Sequence, residues 1–202
     1  ERLMGGEKAD MVFTDPPYNV NYDYDKYTDG RKMKHKKVFN DNLEITEYVK
    51  FLGTVFNNLY SYTREDMSFY IWHSDKYRRE YLNTLEGVGF YISQPLIWIK
   101  NNHVLAMSQD FHRRYEAALY GWKKSQKHYK NIDCAYMNDV WQIDKDREYQ
   151  HPTQKPVLLA ETAIKKSGKW KALVLDIFGG SGSTLIACEK LGRRCYMMEI
   201  DE

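Results

Sequence analysis

The chain has 202 residues, 43% of them hydrophobic, and a formal net charge of +2. That length supports one domain with a sizeable core, and the apolar content excludes a disordered chain. The near-neutral balance leaves any nucleic-acid surface to local clustering, and no run approaches the roughly 18 apolar residues that span a bilayer.

No signal-peptide pattern opens the chain, so no membrane role is expected. The three cysteines, Cys134, Cys188 and Cys195, form no CxxC pair, and their odd number argues for reduced thiols in a cytosolic setting rather than a disulfide framework. Glu1 to Asp10 is a short polar lead without an initiator Met, which reads as the start of a piece of a longer chain.

Met11-Val12-Phe13 reads as the end of a buried strand. It runs into Thr14-Asp15-Pro16-Pro17-Tyr18. The two prolines have no N–H to donate and end any ladder pairing. The stretch therefore offers a carboxylate (Asp15), a fixed backbone carbonyl (Pro16) and an aromatic ring (Tyr18) just past a strand's C-terminal end. That edge is where open α/β sheets bind ligands. The cup suits a planar ring bearing an NH2 group, with Asp15 and the Pro16 carbonyl accepting its two hydrogens and Tyr18 stacking on its face.

Asn19 to Asn42 is a long polar stretch with Lys26, Arg31, Lys32, Lys34, Lys36 and Lys37, preceded by Tyr22, Tyr24 and Tyr27. Loops of this length in compact domains are usually functional or disordered. Lys34, Lys36 and Lys37 beside the cup suggest phosphate contacts and closure over a flipped base. From Ile45 to Tyr60 the apolar positions have helical periodicity. Met67 to His73 is a strand. Asp75 is expected to cap a second helix, ended by Gly87. Phe90 to Lys100, with Pro95 marking a bulge or an edge, and Tyr115 to Trp122 are further strands.

Residues 123–150 break this rhythm. They are polar, carry Lys123, Lys124 and Lys127 as candidate DNA contacts, and have only Val140-Trp141 and Ile143 as apolar anchors. They read as a small inserted segment for target recognition within a single domain spanning 1–202. Thr153 is a candidate cap for a helix from Val157 to Lys166. The strand Ala172 to Ile177, the turn Phe178-Gly179-Gly180-Ser181-Gly182-Ser183, a helix from Thr184 and the strand Arg194 to Ile200 then form one βαβ unit. Its Gly-rich turn admits a ligand close to the backbone, and Glu199 stands where a carboxylate reaches ribose hydroxyls. The glycines do not follow G-x-G-x-x-G, which disfavours a pyrophosphate ligand and leaves adenosine open. Strands alternating with helices predict an α/β fold with a largely parallel sheet covered on both faces. The histidines show no metal-ligand spacing, so no metal is expected.

Asp15-Pro16-Pro17-Tyr18 resembles the catalytic motif of amino-group DNA methyltransferases, which act on adenine N6 or cytosine N4. Asp176 to Thr184 resembles that family's D-P-F-x-G-S-G-T-T cofactor motif, departing at Ile177 and Ser183. His151-Pro152-Thr153-Gln154-Lys155-Pro156 and Gln94 to Lys100 are also similar to family segments, and the order, catalytic motif first, is that of the β group. The resemblance implies a Rossmann-like methyltransferase fold, S-adenosylmethionine as cofactor and double-stranded DNA as partner, in a bacterial or phage setting. It leaves a homodimer open. It also implies that Asp176, Phe178, Gly179, Gly180, Ser181, Gly182 and Ser183 border the cofactor, that Thr153 and Lys155 hold its amino-acid end, and that Glu199 holds its ribose. Asp at the first motif position favours adenine N6. Cytosine N4, a catalytically silent DNA-binding subunit and a nucleotide-dependent oxidoreductase are the competing readings.

Overall fold

A computed structural model describes residues 1–21, 40–104, 110–124, 126–144 and 154–200. Seven strands form one sheet: β1 (Ala9–Thr14), β2 (Thr63–His73), β3 (Phe90–Val104), β4 (Arg113–Lys123), β5 (Val140–Gln142), β6 (Leu173–Asp176) and β7 (Arg194–Met197), in the spatial order β5-β3-β4-β2-β1-β6-β7. Strand β4 runs against β2 and β3, and the other pairings are parallel. This is the expected α/β sheet, with one reversed strand placed inside it.

Period-2 alternation in the central strands feeds two cores. Val12, Phe69 and Ile71 face one side, under α1 (Ile45–Ser61) and α2 (Arg78–Val88). Met11, Phe13, Tyr70 and Trp72 face the other, under α3 (Val157–Ser167) and α4 (Ser183–Lys190). Each helix buries the apolar stripe of a 3.6-residue period, such as Tyr48, Leu52, Val55, Phe56 and Leu59 on α1.

Two local expectations are corrected. Ser74, not Asp75, caps the turn after β2: its side chain accepts from the Lys76 N–H, and Asp75–Tyr77 is a short 3-10 turn leading into α2. Asp75 is used elsewhere, accepting from the Tyr115 hydroxyl at 2.9 Å. Helix α2 passes through Gly87 and ends at Gly89, whose φ of 112° is the left-handed region where a Cβ is costly. The bulge expected near Pro95 is present, as a register shift between Ile92 and Gln94.

The described part of 123–150 starts at the N-terminal edge of the parallel strands, where the Lys124 N–H donates to Gly89 O. It returns along α3, where the Asn131 N–H donates to Lys166 O, and adds β5 beside Ile97–Ile99. Its anchors are Trp141 and Ile143, both buried, while Val140 stays exposed.

Candidate active site

The C-terminal ends of β1, β2, β3, β6 and β7 share one edge of the sheet, and the reversed β4 starts there. Thr14 pairs with Ile71, His73 with Ala117, and Trp98 with Glu116. This register brings four stretches that are remote in sequence to one edge: 14–18, 98–100, 115–117 and 176–183.

The two motifs are held together directly. Thr14 Oγ1 donates to Asp176 Oδ1 at 2.8 Å, and Thr184 Oγ1 donates to Asp176 Oδ2 at 2.6 Å. The Phe178 N–H also reaches Asp176 Oδ1 at 3.2 Å. Burial raises the Asp176 carboxyl to about 6, although Thr184, Thr14 and the Phe178 N–H pull the other way. Asp176 therefore does not face the ligand side, as the cofactor motif implied. Its oxygens are taken by protein donors, and it acts as an inward staple between β1, β6 and α4.

Beyond it the chain makes the glycine turn. Gly180 has φ 51° and Gly182 φ 82°, both left-handed, and the Gly182 N–H closes on Gly179 O at 2.9 Å. A Cβ on Gly179 would lie 2.2 Å from Met197 Cγ, so β7 packs against the bare backbone. A Cβ on Gly180 would meet nothing within 4 Å, which leaves that position facing open space. Glu199 Oε2 accepts the Gly180 N–H at 2.7 Å, so the carboxylate stands beside the turn. Ser181 is half-buried, Ser183 is buried in the first turn of α4, and the Phe178 ring packs edge-on against Phe51 at 6.1 Å. This is an uncrowded backbone cradle with a carboxylate at its rim, which fits an adenosine moiety.

At the cup, Pro16 is buried, and Tyr48 donates its hydroxyl to Pro17 O at 2.7 Å. Asn19 has a left-handed φ of 57°, and its side-chain amide donates to Leu43 O at 2.9 Å. That bond closes the base of the Asn19–Asn42 stretch, whose Lys34, Lys36 and Lys37 lie outside the described residues. So does Thr153.

Lys155, just before α3, is buried and brings its ammonium group into a salt bridge with Asp15. It is also 3.0 Å from Glu116 Oε2 and donates to the Tyr18 hydroxyl at 3.3 Å. Lys100 pairs with the other oxygen of Glu116. Two ammonium groups and two carboxylates thus form a neutral, mostly buried chain, Asp15–Lys155–Glu116–Lys100. Burial would raise the Glu116 carboxyl, but Lys155 and Lys100 overrule it and hold it at about 2. Burial likewise opposes the charge on Lys155, yet Asp15 and Glu116 raise its pKa above the ordinary lysine value. Burial, with Asp15 and Glu116 nearby, raises the Tyr18 hydroxyl well above its usual range, so it stays protonated. Trp72 lies beneath, with Lys155 Nζ 5.2 Å from its ring centroid.

Among the described residues, Asp15 Oδ1 is buried and has no hydrogen-bond partner. Lys155 takes Oδ2, so Oδ1 is the acceptor left for a ligand. Glu116 and Lys100 were not singled out from the sequence. The available signal was a lone carboxylate, Glu116, opening an apolar strand.

A second site expectation is overturned. Lys123 is 1% exposed and donates to Thr63 O at 2.9 Å and to Glu65 Oε1 at 3.1 Å, at the sheet edge opposite Asp15. A buried, paired lysine there is a structural prop and not a DNA contact. Lys124 and Lys127 are exposed, next to that same far edge.

Residues 9–202 match the family described as DNA methylase. The chain is 30% identical to the Type II methyltransferase M2.LlaDCHI of Lactococcus lactis subsp. cremoris, over 93% of this chain and 76% of that protein. It is 29% identical to the Type II methyltransferase M2.DpnII of Streptococcus pneumoniae, over 95% and 77%. It spans 64% of the length of the Type II methyltransferase M.HpaI of Haemophilus parainfluenzae, at 26% identity over 96% of this chain. Among solved structures, the cytosine-N4-specific PvuII DNA methyltransferase has a TM-score of 0.74 at 19% identity, covering 100% of this chain and 80% of that one. The M1.HpyAVI–SAM complex has a TM-score of 0.69 at 23% identity, covering 97% and 84%, and both likenesses are ones of fold. With the family match spanning nearly the whole chain, the protein belongs to the DNA methylase family.

Proposed function

We propose that this chain transfers a methyl group from S-adenosylmethionine to the exocyclic N6 of adenine in double-stranded DNA. The observation that carries the reading is the buried, unpartnered Oδ1 of Asp15, held by Lys155 at the edge shared with the glycine turn.

An exocyclic amine is a poor nucleophile because its lone pair is delocalised into the ring. Asp15 Oδ1 and the Pro16 carbonyl accept its two hydrogens, which favours a pyramidal nitrogen with a localised pair. The same acceptors stabilise positive charge developing on that nitrogen in a site shielded from water. Tyr18, kept neutral, stacks on the base and offsets part of the cost of taking it out of the duplex. The bound cofactor supplies an already activated sulfonium methyl, so the nitrogen–carbon bond forms as the carbon–sulfur bond breaks. The protein's share is alignment. The amine proton released afterwards goes to water, and Asp15 need not act as a strong base.

Phe178, Gly179, Gly180, Ser181, Gly182 and Ser183 build the cofactor side, with Glu199 at the ribose. Lys155 lies within the cup, just before α3. Its proposed contact with the cofactor's amino-acid end is made while it holds Asp15. Thr153 is proposed to assist it. The part of 123–150 that reaches the catalytic edge beside Ile97–Ile99 is proposed to read the target, and Asn19 to Asn42 to close on it.

The test is methylation of mixed-sequence duplex DNA with labelled S-adenosylmethionine, followed by nucleoside identification. N6-methyladenine is the expected product. N4-methylcytosine would move the assignment to the other amino base, and absence of transfer to DNA would refute the reading.

A further inference from the structure

The five cations Lys76, Arg78, Arg79, Arg113 and Arg114 stand exposed at the sheet edge that carries Asp15. Lys76, Arg78 and Arg79 follow the C-terminal end of β2, and Arg113 and Arg114 open β4. The two groups belong to different elements, yet Tyr115 ties them together by donating to Asp75 Oδ2 at 2.9 Å. That hydrogen bond raises the Tyr115 hydroxyl above its ordinary value, while Arg113 and Arg78 pull the other way, so both guanidinium groups lie within electrostatic reach of one oxygen. None of the five forms a salt bridge among the described residues.

Two of them are also badly placed for the fold. Arg78 and Arg79 are the first two residues of α2, entered directly from the 3-10 turn Asp75–Tyr77, and positive charge in a first turn opposes the helix dipole. Tyr77 makes no side-chain cap for α2, Ser74 caps the 3-10 turn before it, and Asp75 and Glu80 are the acidic residues of the two first turns. The arrangement opposes the dipole, and no salt bridge among the described residues offsets it. A phosphate backbone laid along it would reverse both terms, pairing with the guanidinium groups and facing a helix N-terminus.

We infer that Lys76, Arg78 and Arg79, together with Arg113 and Arg114, form the surface that holds the phosphate backbone of duplex DNA while a base enters the cup at Asp15. This rests on the methyl-transfer reading above. It places the main electrostatic contact at the catalytic edge of the sheet and away from Lys124 and Lys127. Phosphate contacts position the duplex and carry no sequence information, so this surface sets affinity and register while other segments select the site.

The test uses a fluorescent duplex of mixed sequence, titrated with the full chain at several salt concentrations. The variants are Arg78→Gln with Arg79→Gln, Arg113→Gln with Arg114→Gln, all four together, and Lys124→Gln with Lys127→Gln. The fourfold variant should bind more than tenfold more weakly, with a salt slope shallower by roughly 2–4, since each phosphate contact contributes about 0.9. The Lys124/Lys127 variant should keep the parental slope. Each arginine pair should give a part of the effect, equal on all sequences. S-adenosylmethionine affinity should stay within about twofold, and the Tm of the Arg78/Arg79 variant should rise, because a dipole conflict is removed. A parental slope in the fourfold variant, or a slope carried by Lys124 and Lys127, would overturn the surface. A fall in Tm for the Arg78/Arg79 variant with DNA affinity unchanged would make those arginines structural. The parent's own methyl transfer, measured alongside, separates failure of this surface from failure of the functional reading.

Discussion

Lys155 forms a salt bridge with Asp15 across 140 residues of sequence, at the mouth of the cup where the unpartnered oxygen of Asp15 lies. The same ammonium group also touches Glu116 and Tyr18. It thus hydrogen-bonds two side chains and ion-pairs with a third, and the carboxylate of Asp15 is held in one orientation before any ligand arrives. Lys155 is a positioning residue for the acceptor as well as a candidate cofactor contact.

Replacing Asp15 with Ala should abolish methyl transfer and leave S-adenosylmethionine binding within a few-fold of the parent, because Asp15 faces the base side. Calorimetry and a methylation assay read the two quantities separately. Turnover near the parental rate would remove Asp15 from the chemistry.

Glu116 should give the fold a pH dependence of definite sign. Its carboxyl is held at about 2 against an ordinary 4.5, so its stabilisation is complete above 4.5 and is lost as pH falls toward 2. The loss is at most about 3 kcal/mol. Glu116→Gln should flatten this acid limb and destabilise the chain near neutral pH, since Lys155 and Lys100 lose their shared partner. Urea midpoints across the acid range decide the matter, and an unchanged acid limb would mean the four-charge chain contributes nothing to the fold.

Asp176 should act with the opposite sign. Burial lifts its carboxyl from 3.8 to about 6, so its protonated form is favoured in the folded chain, and stability is lost as pH rises through 6. Asp176→Asn should remove that slope while weakening the Thr14 and Thr184 contacts by about 1 kcal/mol. Carboxyl titration by NMR gives the direct reading, and a titration below the ordinary value would contradict it.

The two neighbouring glycines should fail differently. Gly179→Ala drives a Cβ into Met197 and should cost roughly 1–3 kcal/mol by overpacking. Gly180→Ala has room, and its cost is backbone strain at φ 51°, about 1 kcal/mol. Gly180→Val should lower S-adenosylmethionine affinity out of proportion to its loss of stability, since the side chain enters the open turn. Thermal melts paired with calorimetry check this, and equal losses at both positions would make the turn purely structural.

The strands and helices around the two motifs are legible because their signals are local. Met11 to Phe13 is a short apolar run closed by prolines, and Ile45 to Ser61 repeats at helical spacing. Glu116 and Lys100 carry no such signal. They meet Lys155 only because β4 is reversed and lies between β2 and β3, which places Glu116 opposite Trp98. Lys123 misleads for the converse reason. A lysine in a basic stretch looks solvated, but at a strand end its apolar stem is buried and its ammonium group reaches Thr63 and Glu65. Charge along a sequence does not say which end of a strand a residue occupies. Arg78 and Arg79 are inconspicuous as two charges among many until the helix start beneath them is known.

The pairing of β1 with both β2 and β6 has a consequence for how the chain is made. Strand β1 leaves the ribosome before either of its neighbours and finds β2 soon after, but the other neighbour begins only at Leu173. Until then one edge of the central strand, with Met11 and Phe13 beside it, has no partner. Open apolar edges of this kind template pairing between nascent chains. The protein should therefore depend on chaperones during synthesis more than its native compactness suggests, and ribosome-bound chains stalled before β6 should be captured by holdases that ignore chains stalled after β7.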